Sequence, residues 1–476
     1  MHYIEGQSRD QLVLFPESLD EYVQSNNPVR FLDRFVEALD LEGLGFRRAV
    51  LNPTGRPPYG PGDLLKLYIY GYLYQVRSSR QLERQTHCNV EVMWLLERLQ
   101  PDFKTIADFR RDNGPAIRSV VKEFRGLCHR LELYGRELVA IDGSYFKASN
   151  SRDRHRSVQG LEREQAKIDA QIAEYFAAMD QADQEDTSAP ISAAALAEKM
   201  KRLEEIQSQL AELRAAGVEQ RGLTDPDARL LKKGTKTVVG YNVQVAVDSK
   251  HHLIAAHEVT AAGNDQGQLE PMGRRAQAAL GVRAIEVVAD AGYHTRADLK
   301  DSMEAGITPY VPAGNSSASK AQGRFSKADF QYDSSTDAYG CPGGQRLHFV
   351  GTGRDKTGHL LRYYRARGCA DCACRTRCLK PGVAARRISR WEHEHLVEET
   401  AARVAARPGI MKVRKALVEH PFGTLKRWMG TEHFLTRGFA QVRTEMSLQV
   451  LAYNLKRAIN LLGVCALIAA LDPVPG

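Results

Sequence analysis

Apolar positions recur at helical spacing from Gly60 to Asn113, between short turn signals. Leu64, Leu65, Tyr68, Tyr72 and Leu73 form one stripe, Ser79 is placed to cap Arg80–Thr86, and Thr105 is placed to cap Ile106–Arg111. At Val139 the pattern changes to short apolar runs rich in β-branched residues. Val139-Ala-Ile ends in Asp142-Gly and Val287-Val-Ala ends in Asp290-Ala-Gly, so each reads as a buried strand that delivers an acid at its C-terminal edge. Val238–Val247 and Leu253–Val259 carry strand character too, and Gln268–Leu280 reads as a helix leading into the strand Ala284–Ala289. A doubly wound sheet would need strict strand-helix alternation and a Gly-rich phosphate loop, and neither is present.

From about Arg152 to Ala216 the chain is charged and Ala-rich, with almost no β-branched alternation, and predicts two helices broken at Asp186–Pro190. Leu161, Ile168, Ile172 and Tyr175 mark one apolar face. Leu196, Leu203 and Leu210, with Met200, Ile206 and Leu213, mark another in heptad-like spacing. The pair reads either as a hairpin packing on itself or as a surface for a second molecule. Leu448–Leu471 is the most apolar long segment, but Asn454, Lys456, Arg457 and Asn460 interrupt it well short of a membrane span. Met446, Val450, Tyr453, Leu455, Ile459 and Leu462 predict a buried helix there.

A third acid stands in Val418-Glu419-His-Pro-Phe-Gly-Thr-Leu-Lys426. On a helix Glu419 lies two turns from Lys426 on one face, and Pro421 predicts that the helix starts or kinks near Glu419. Glu432 and Glu445 fall in the same part of the chain. Glu445 reads as a salt-bridging residue of the last helix or as an alternative third ligand. An Asp before Gly also makes turns and caps, which is the plain alternative for Asp142 and for Asp290. Taken together, two Asp and one Glu are the oxygen donors that a pair of hard cations about 4 Å apart needs for phosphoryl transfer.

These residues resemble the DDE transposases of bacterial insertion sequences. Val418-Glu419-His-Pro-Phe-Gly-Thr-Leu-Lys426-Arg427-Trp-Met, followed by Phe434-Leu-Thr-Arg437-Gly and Leu451-Ala-Tyr-Asn-Leu-Lys456-Arg, is similar to the insertion-sequence group numbered eleven-eighty-two, and the resemblance runs over most of the chain. It implies an α/β fold with a ribonuclease H-like mixed-sheet core. A helical DNA-binding domain would span residues 1–135 and a catalytic domain 136–476, with a helical insertion at about 150–232 and a Cys-rich insertion at about 315–400. The implied activity is cleavage of insertion-sequence ends and joining of the 3′-hydroxyl to target DNA. Asp142, Asp290 and Glu419 would be the catalytic ligands of two Mg²⁺ or Mn²⁺, and Lys426 would contact a transposon-end phosphate. Double-stranded DNA is the implied partner, as terminal inverted repeats and as target, with the protein a homodimer on it. Alternatives with the same residues are a stand-alone DNA nuclease and a transposase-derived DNA-binding regulator. The related pattern has Tyr and Arg seven and four residues before the Glu; here Lys412 and Lys415 stand there, and Arg414 is the guanidinium at hand. His294, four residues beyond Asp290, is a candidate to position a phosphate or a nucleophile, or an exposed turn residue.

The chain of 476 residues is 43% hydrophobic, enough for two or three domains. Lys and Arg exceed Asp and Glu by 66 to 58, which favours a polyanionic partner. Arg77, Arg80, Arg84, Arg98, Lys104, Arg110 and Arg111 are candidates for phosphate contacts from a helix-turn-helix, together with Arg427 and Arg437; the alternative is a solvated basic surface. Met1-His-Tyr-Ile-Glu-Gly has no signal-peptide pattern, so a cytoplasmic, nucleoid-associated protein is expected, with no membrane partner. Five of the eight Cys lie between Cys341 and Cys378. Cys341, Cys369, Cys372 and Cys378 are the expected ligands of a structural Zn²⁺, with Cys374 spare, and the alternative is a redox-active or reduced cluster. Cys88, Cys128 and Cys465 are expected as buried apolar residues.

Overall fold

In the computed structural model, which describes residues 18–51, 57–150, 155–185, 193–233, 236–314, 323–355 and 357–471, the helix Pro61–Leu73 is buried on nearly every side. The single stripe expected from Leu64, Leu65, Tyr68, Tyr72 and Leu73 is therefore too narrow, since Leu67, Ile69, Tyr70 and even Lys66 are buried as well. The polar ends find partners: Tyr68 donates to Ile106 O at 2.9 Å, Tyr70 to Glu91 Oε2 at 2.9 Å, and Lys66 pairs with Asp33. Gly71 is required by the turn after the helix, where a Cβ would stand 2.4 Å from Val76 O. Both expected caps shift towards the N-terminus. Ser79 is the first residue of its helix, with Ser78 at the cap position, and Asp102 caps Phe103–Asp112 by accepting from Lys104 N and Thr105 N.

The long helix Phe439–Leu462 packs against Pro61–Leu73 and Gly114–Arg130. It is buried almost continuously from Thr444 to Leu455, while Leu462 is partly exposed. The close approach has a local cause, because a Cβ on Gly114 would sit 2.6 Å from Thr444 Oγ1. Among the described residues no helix is long and apolar enough to cross a membrane.

The chain divides into two compact units, one of Met1–Asn264, Arg275–Val282 and Ala416–Gly476, the other of Asp265–Arg274 and Arg283–Lys415. The expected boundary near residue 135 marks the change from helix to strand inside the first unit. There Leu138–Lys147 runs antiparallel to Lys236–Asp248, which also pairs with Arg229–Lys233 and Ile254–Thr260. Asp142 does not end its strand: it stands opposite Val245 in mid-ladder, and pairing continues through Gly143 to Lys147.

The two helices expected between Arg152 and Ala216 are Val158–Glu185 and Ala193–Ala215, standing on a two-strand ladder of His155–Ser157 and Gln220–Gly222. Leu161, Ile168, Ile206, Leu210 and Leu213 form its core, and Arg202 bridges to Glu164, so the hairpin packs on itself. Met200, expected on the apolar face, is half exposed. The expected break at Asp186–Pro190 and the Met1–Gly6 start lie outside the described residues.

The second unit holds a parallel pair, Ile285–Val288 with Ile307–Tyr310, joined through the helix Arg296–Glu304. With the antiparallel ladders of the first unit this makes the protein a mixed α/β structure. The Cys-rich insertion contains an element that its composition did not predict. It is a five-stranded antiparallel sheet of Gln331–Asp333, Ala338–Gly340, Arg346–Arg354, Leu360–Ala366 and Arg387–Trp391, with Tyr339, Leu347, Tyr364 and Ile388 in its core.

Among the polar contacts between the sheet of the first unit and the C-terminal helix is that of His257 with Ser447. Ser447 spends its proton on Arg443 O at 2.9 Å, so at 3.0 Å its oxygen accepts from His257 Nε2–H. Burial pushes the His257 imidazole down to about 4. An unfolded histidine titrates near 6.5, so between about 6.5 and 4 the unfolded chain binds a proton that the folded chain refuses. Stability is expected to fall as pH drops through that window, and urea midpoints measured against pH should show a shallower acid-side slope in His257→Gln than in the wild type.

Candidate functional site

In the first unit, the half-buried Asp142 accepts from Gly143 N through Oδ1 at 2.9 Å. Two residues further along the same strand, Lys426 Nζ donates to Ser144 Oγ at 2.6 Å and to Tyr145 O at 2.7 Å, with the Phe146 ring 4.6 Å beneath it. The helix Ile410–Gly423 contains both Glu419 and Pro421, then widens into a π-helical turn, Thr424–Trp428, that carries Lys426. Glu419 therefore lies within the helix rather than at its start. The distortion falls after Pro421, where a proline lacks the N–H and crowds the carbonyl four residues back. Thr431 closes the π turn by donating its N–H and its hydroxyl to Leu425 O. Glu419 is exposed.

In the second unit, Asp290 follows its strand as expected and begins a 3-10 turn, accepting from Gly292 N at 2.8 Å. Its side chain is 41% exposed and pairs with Arg414 at 3.3 Å. The turn-forming role of Asp before Gly is thus realised here without closing the carboxylate off from solvent. Arg414, the guanidinium expected to replace the missing arginine, is found on this acid. Asp265, which sequence reasoning passed over, lies beside the same turn, its Oδ2 3.8 Å from where a Gly292 Cβ would stand. It sits in a loop with no periodic signal around it. His294 is half-buried, and burial lowers its pKa, so it stays neutral at neutral pH and does not act as a cation.

Glu445 is fully buried and accepts from Leu435 N, Thr436 N and Thr436 Oγ1 at 2.7–3.1 Å. Arg77 stands 3.6 Å from it and also donates to Gly430 O and His433 O. These bonds make Glu445 a structural acid. They also remove Arg77 from the candidates for phosphate contact, and Arg110, packed over the Tyr68 ring at 5.4 Å and within the field of Glu445, leaves with it. Arg111 is tied to Asp108 and Asp112. Glu432 pairs at the surface with Lys147. Arg80, Arg84, Arg427 and Arg437 are exposed, Arg80 lying over the Phe103 ring.

The cysteine expectation gathers in one place. Cys341, Cys369, Cys372 and Cys378 line a cavity of ≈ 20 Å³, room for about one atom-sized occupant, with Cys374 also on its wall. Burial pushes the Cys378 thiol up, and the thiols of Cys369, Cys341 and Cys372 push it the same way against Arg386. A Cβ on Gly343 would meet Cys372 Sγ at 3.0 Å and Cys341 Sγ at 3.8 Å, so glycine leaves the sulfurs their space. Gln345 N donates to Cys341 Sγ at 3.2 Å. Of the three cysteines expected to be buried only Cys128 is; Cys88 and Cys465 are exposed. Among the described residues no three His, Cys, Asp or Glu side chains are grouped so as to hold a metal ion. The fit of a metal therefore rests on donor chemistry: accessible carboxylates for a hard cation, and four thiols around one small cavity for a soft one.

Residues 17–112 match a family described as "Transposase domain (DUF772)", and residues 340–459 match a family described as "Transposase DDE domain". The chain carries two segments that match transposase domains. No curated protein matches it. A solved structure described as "Cryo-EM structure of piggyBac transposase synaptic complex with hairpin DNA (SNHP)" is similar at a TM-score of 0.28 and 9% identity, over 95% of this chain and 87% of that chain. The DDE match takes in Glu419, Lys426, Arg427, Arg437 and the cysteine cluster, and the first match takes in Arg80 and Arg84; Asp142 and Asp290 lie outside both. A DDE transposase domain implies use of a divalent metal in general, and of DNA.

The two glutamates should separate by stability. Glu445→Gln leaves Arg77 buried beside a neutral amide and is expected to cost about 3–5 kcal/mol, whereas Glu419→Gln, at the surface, should stay within about 0.5 kcal/mol of the wild type. Urea unfolding of the two variants checks this, and equal losses would contradict the assignment of roles.

Proposed function

We propose that this transposase cleaves the ends of its insertion sequence and joins the freed 3′-hydroxyl to target DNA, with Asp142, Asp290 and Glu419 as the acids of a ribonuclease H-like core and a homodimer holding the two ends. The observation that carries this reading is the seating of Lys426, from the segment matching the DDE domain, on the strand of Asp142. The three carboxylates would hold two Mg²⁺, which supply Lewis-acid activation of the attacking oxygen and stabilisation of the leaving one. The protein's own part is positional. Lys426, held by Ser144 Oγ and Tyr145 O, fixes a phosphate beside Asp142. Arg414 offsets the charge of Asp290, and the exposed Arg427, Arg437, Arg80 and Arg84 take backbone phosphates, which fix register without reading sequence.

Cys341, Cys369, Cys372 and Cys378 would hold one structural Zn²⁺ and so brace the five-stranded sheet. Cys374, on the wall of the same cavity, is the spare thiol in this assignment.

Asp142→Asn, Asp290→Asn and Glu419→Gln are each expected to abolish cleavage while end binding persists, because each removes an oxygen donor at nearly constant shape. The assay is cleavage and joining of a DNA bearing the element's own ends with Mg²⁺. Cut but unjoined products from the wild type would make the protein a nuclease, and end binding without any cutting would make it a regulator.

Zinc is checked by elemental analysis of the reduced, folded protein. About one equivalent is expected, falling to none in Cys369→Ser/Cys372→Ser.

A further inference from the structure

We infer that the first unit carries a second DNA-binding site, a basic groove that grips the backbone of duplex DNA without regard to sequence and takes no part in the chemistry. This rests on the reading of the protein as a DNA transposase, but it uses none of the residues assigned there. The groove, of ≈ 1130 Å³, lies among the helix Gly114–Arg130, the strand Ile254–Thr260 and the helices Leu269–Leu280 and Phe439–Leu462. Arg118, Lys122 and Arg125 line it from the first helix, Arg275 and Arg443 from the other two. Against these five cations stand Asp227 and Glu258, and both are already engaged. Glu258 takes Arg443 at 2.7 Å and Arg275 at 2.6 Å, while Asp227 Oδ2 accepts from Phe439 N at 2.9 Å. A concave wall with such an excess of positive charge concentrates polyanions.

The spacing on the first helix selects the kind of anion. Positions 118, 122 and 125 follow the four-then-three spacing of one helical face, which is how all three come to line the groove. At 1.5 Å per residue they span roughly 10 Å, with intervals of roughly 6 and 4.5 Å between neighbouring cations. One strand of a duplex presents a phosphate about every 3.4 Å along its axis. A row of cations along one helical face favours an extended polyanion of this kind over a compact anion, and the groove is already at the upper end of the volume of small-molecule cavities. The walls are built to hold their shape: Arg125 donates to Ala255 O at 3.2 Å, Arg118 to Thr444 Oγ1 at 3.2 Å, and Asn454 pairs both Ile254 N and Ile254 O at 2.9 Å. Lys122 is exposed, a terminal cation among braced neighbours. The imidazole of His257, also on the wall, is kept neutral by burial and adds no charge at neutral pH.

The test uses the full chain and a duplex of unrelated sequence, with affinity measured across a salt series. Lys122→Glu should weaken binding several-fold and reduce the slope of log affinity against log salt by about 1. Lys122→Arg should restore both, and Arg275→Gln, on a different helix, should also lower the slope. Thermal midpoints of the Lys122 variants should match the wild type, and cleavage of element ends at saturating DNA should be unchanged in Lys122→Glu. Wild-type slopes in both Lys122→Glu and Arg275→Gln would overturn the inference and leave an acidic polypeptide as the better occupant. Lost end cleavage at saturating DNA in a folded Lys122→Glu protein would overturn the division between affinity and chemistry. A wild type that binds duplex with a steep, Lys122-dependent slope but never cuts would uphold the groove and overturn the proposed function instead.

Discussion

The carboxylate of Glu445 is the point from which the placement of the Lys426 segment follows. It is wholly removed from solvent, where an unpaired charge would cost several kcal/mol, so its neighbours must converge on it. Leu435 N, Thr436 N and Thr436 Oγ1 turn inward to it, and Arg77 comes from the helical N-terminal region to lie beside it. The same guanidinium ties down Gly430 O and His433 O. The stretch after the π turn is thereby fixed at both ends, and Phe434 N and Glu432 O can lock onto Lys147 of the Asp142 strand. Phe434 then packs on Phe146 and Tyr241. Lys426 reaches Ser144 and Tyr145 because everything downstream of it is held against that strand.

The same burial separates acids and bases that look alike in the sequence. Glu419 and Glu445 both stand on helices in the C-terminal region, and Arg77 and Arg80 are three residues apart. One of each pair is exposed to solvent, and the other is enclosed by the packing. The difference is a matter of what lies across the packing interface, and an amphipathic pattern does not encode that for a polar residue, because hydrophobic periodicity reports only where apolar side chains go.

Around the cysteines a sheet supplies what the spacing alone left irregular. Cys341 follows one strand and Cys369 another, and the turns after them bring the remaining thiols to the same cavity. Gly343 is needed because a side chain there would occupy the sulfurs' space. A Cys-x-x-Cys knuckle was legible at Cys369 and Cys372. That Cys341 would join it depended on the register of strands closed by Tyr332, Tyr339 and Tyr364, whose rings meet tilted or edge-on at the sheet's core.

The sequence by itself determined the kinds of element and the chemistry available to them: the helical N-terminal region, the helical pair, the strands that lead into Asp142 and Asp290, the long buried C-terminal helix, and the motif from Glu419 to Lys426 that carries the resemblance. These are local properties, set by periodicity, turn residues and short spacings. Only the tertiary structure decided that Pro61–Leu73 would be buried all round, that Asp142 would stand in mid-strand, that Arg77, Arg110 and Glu445 would be structural, and that Arg118, Lys122 and Arg125 would face Arg275 and Arg443 across a groove. Each of those outcomes depends on which distant surface covers a given face. Burying a charge or leaving it in water is settled by that covering surface, and no window of sequence around the residue contains it.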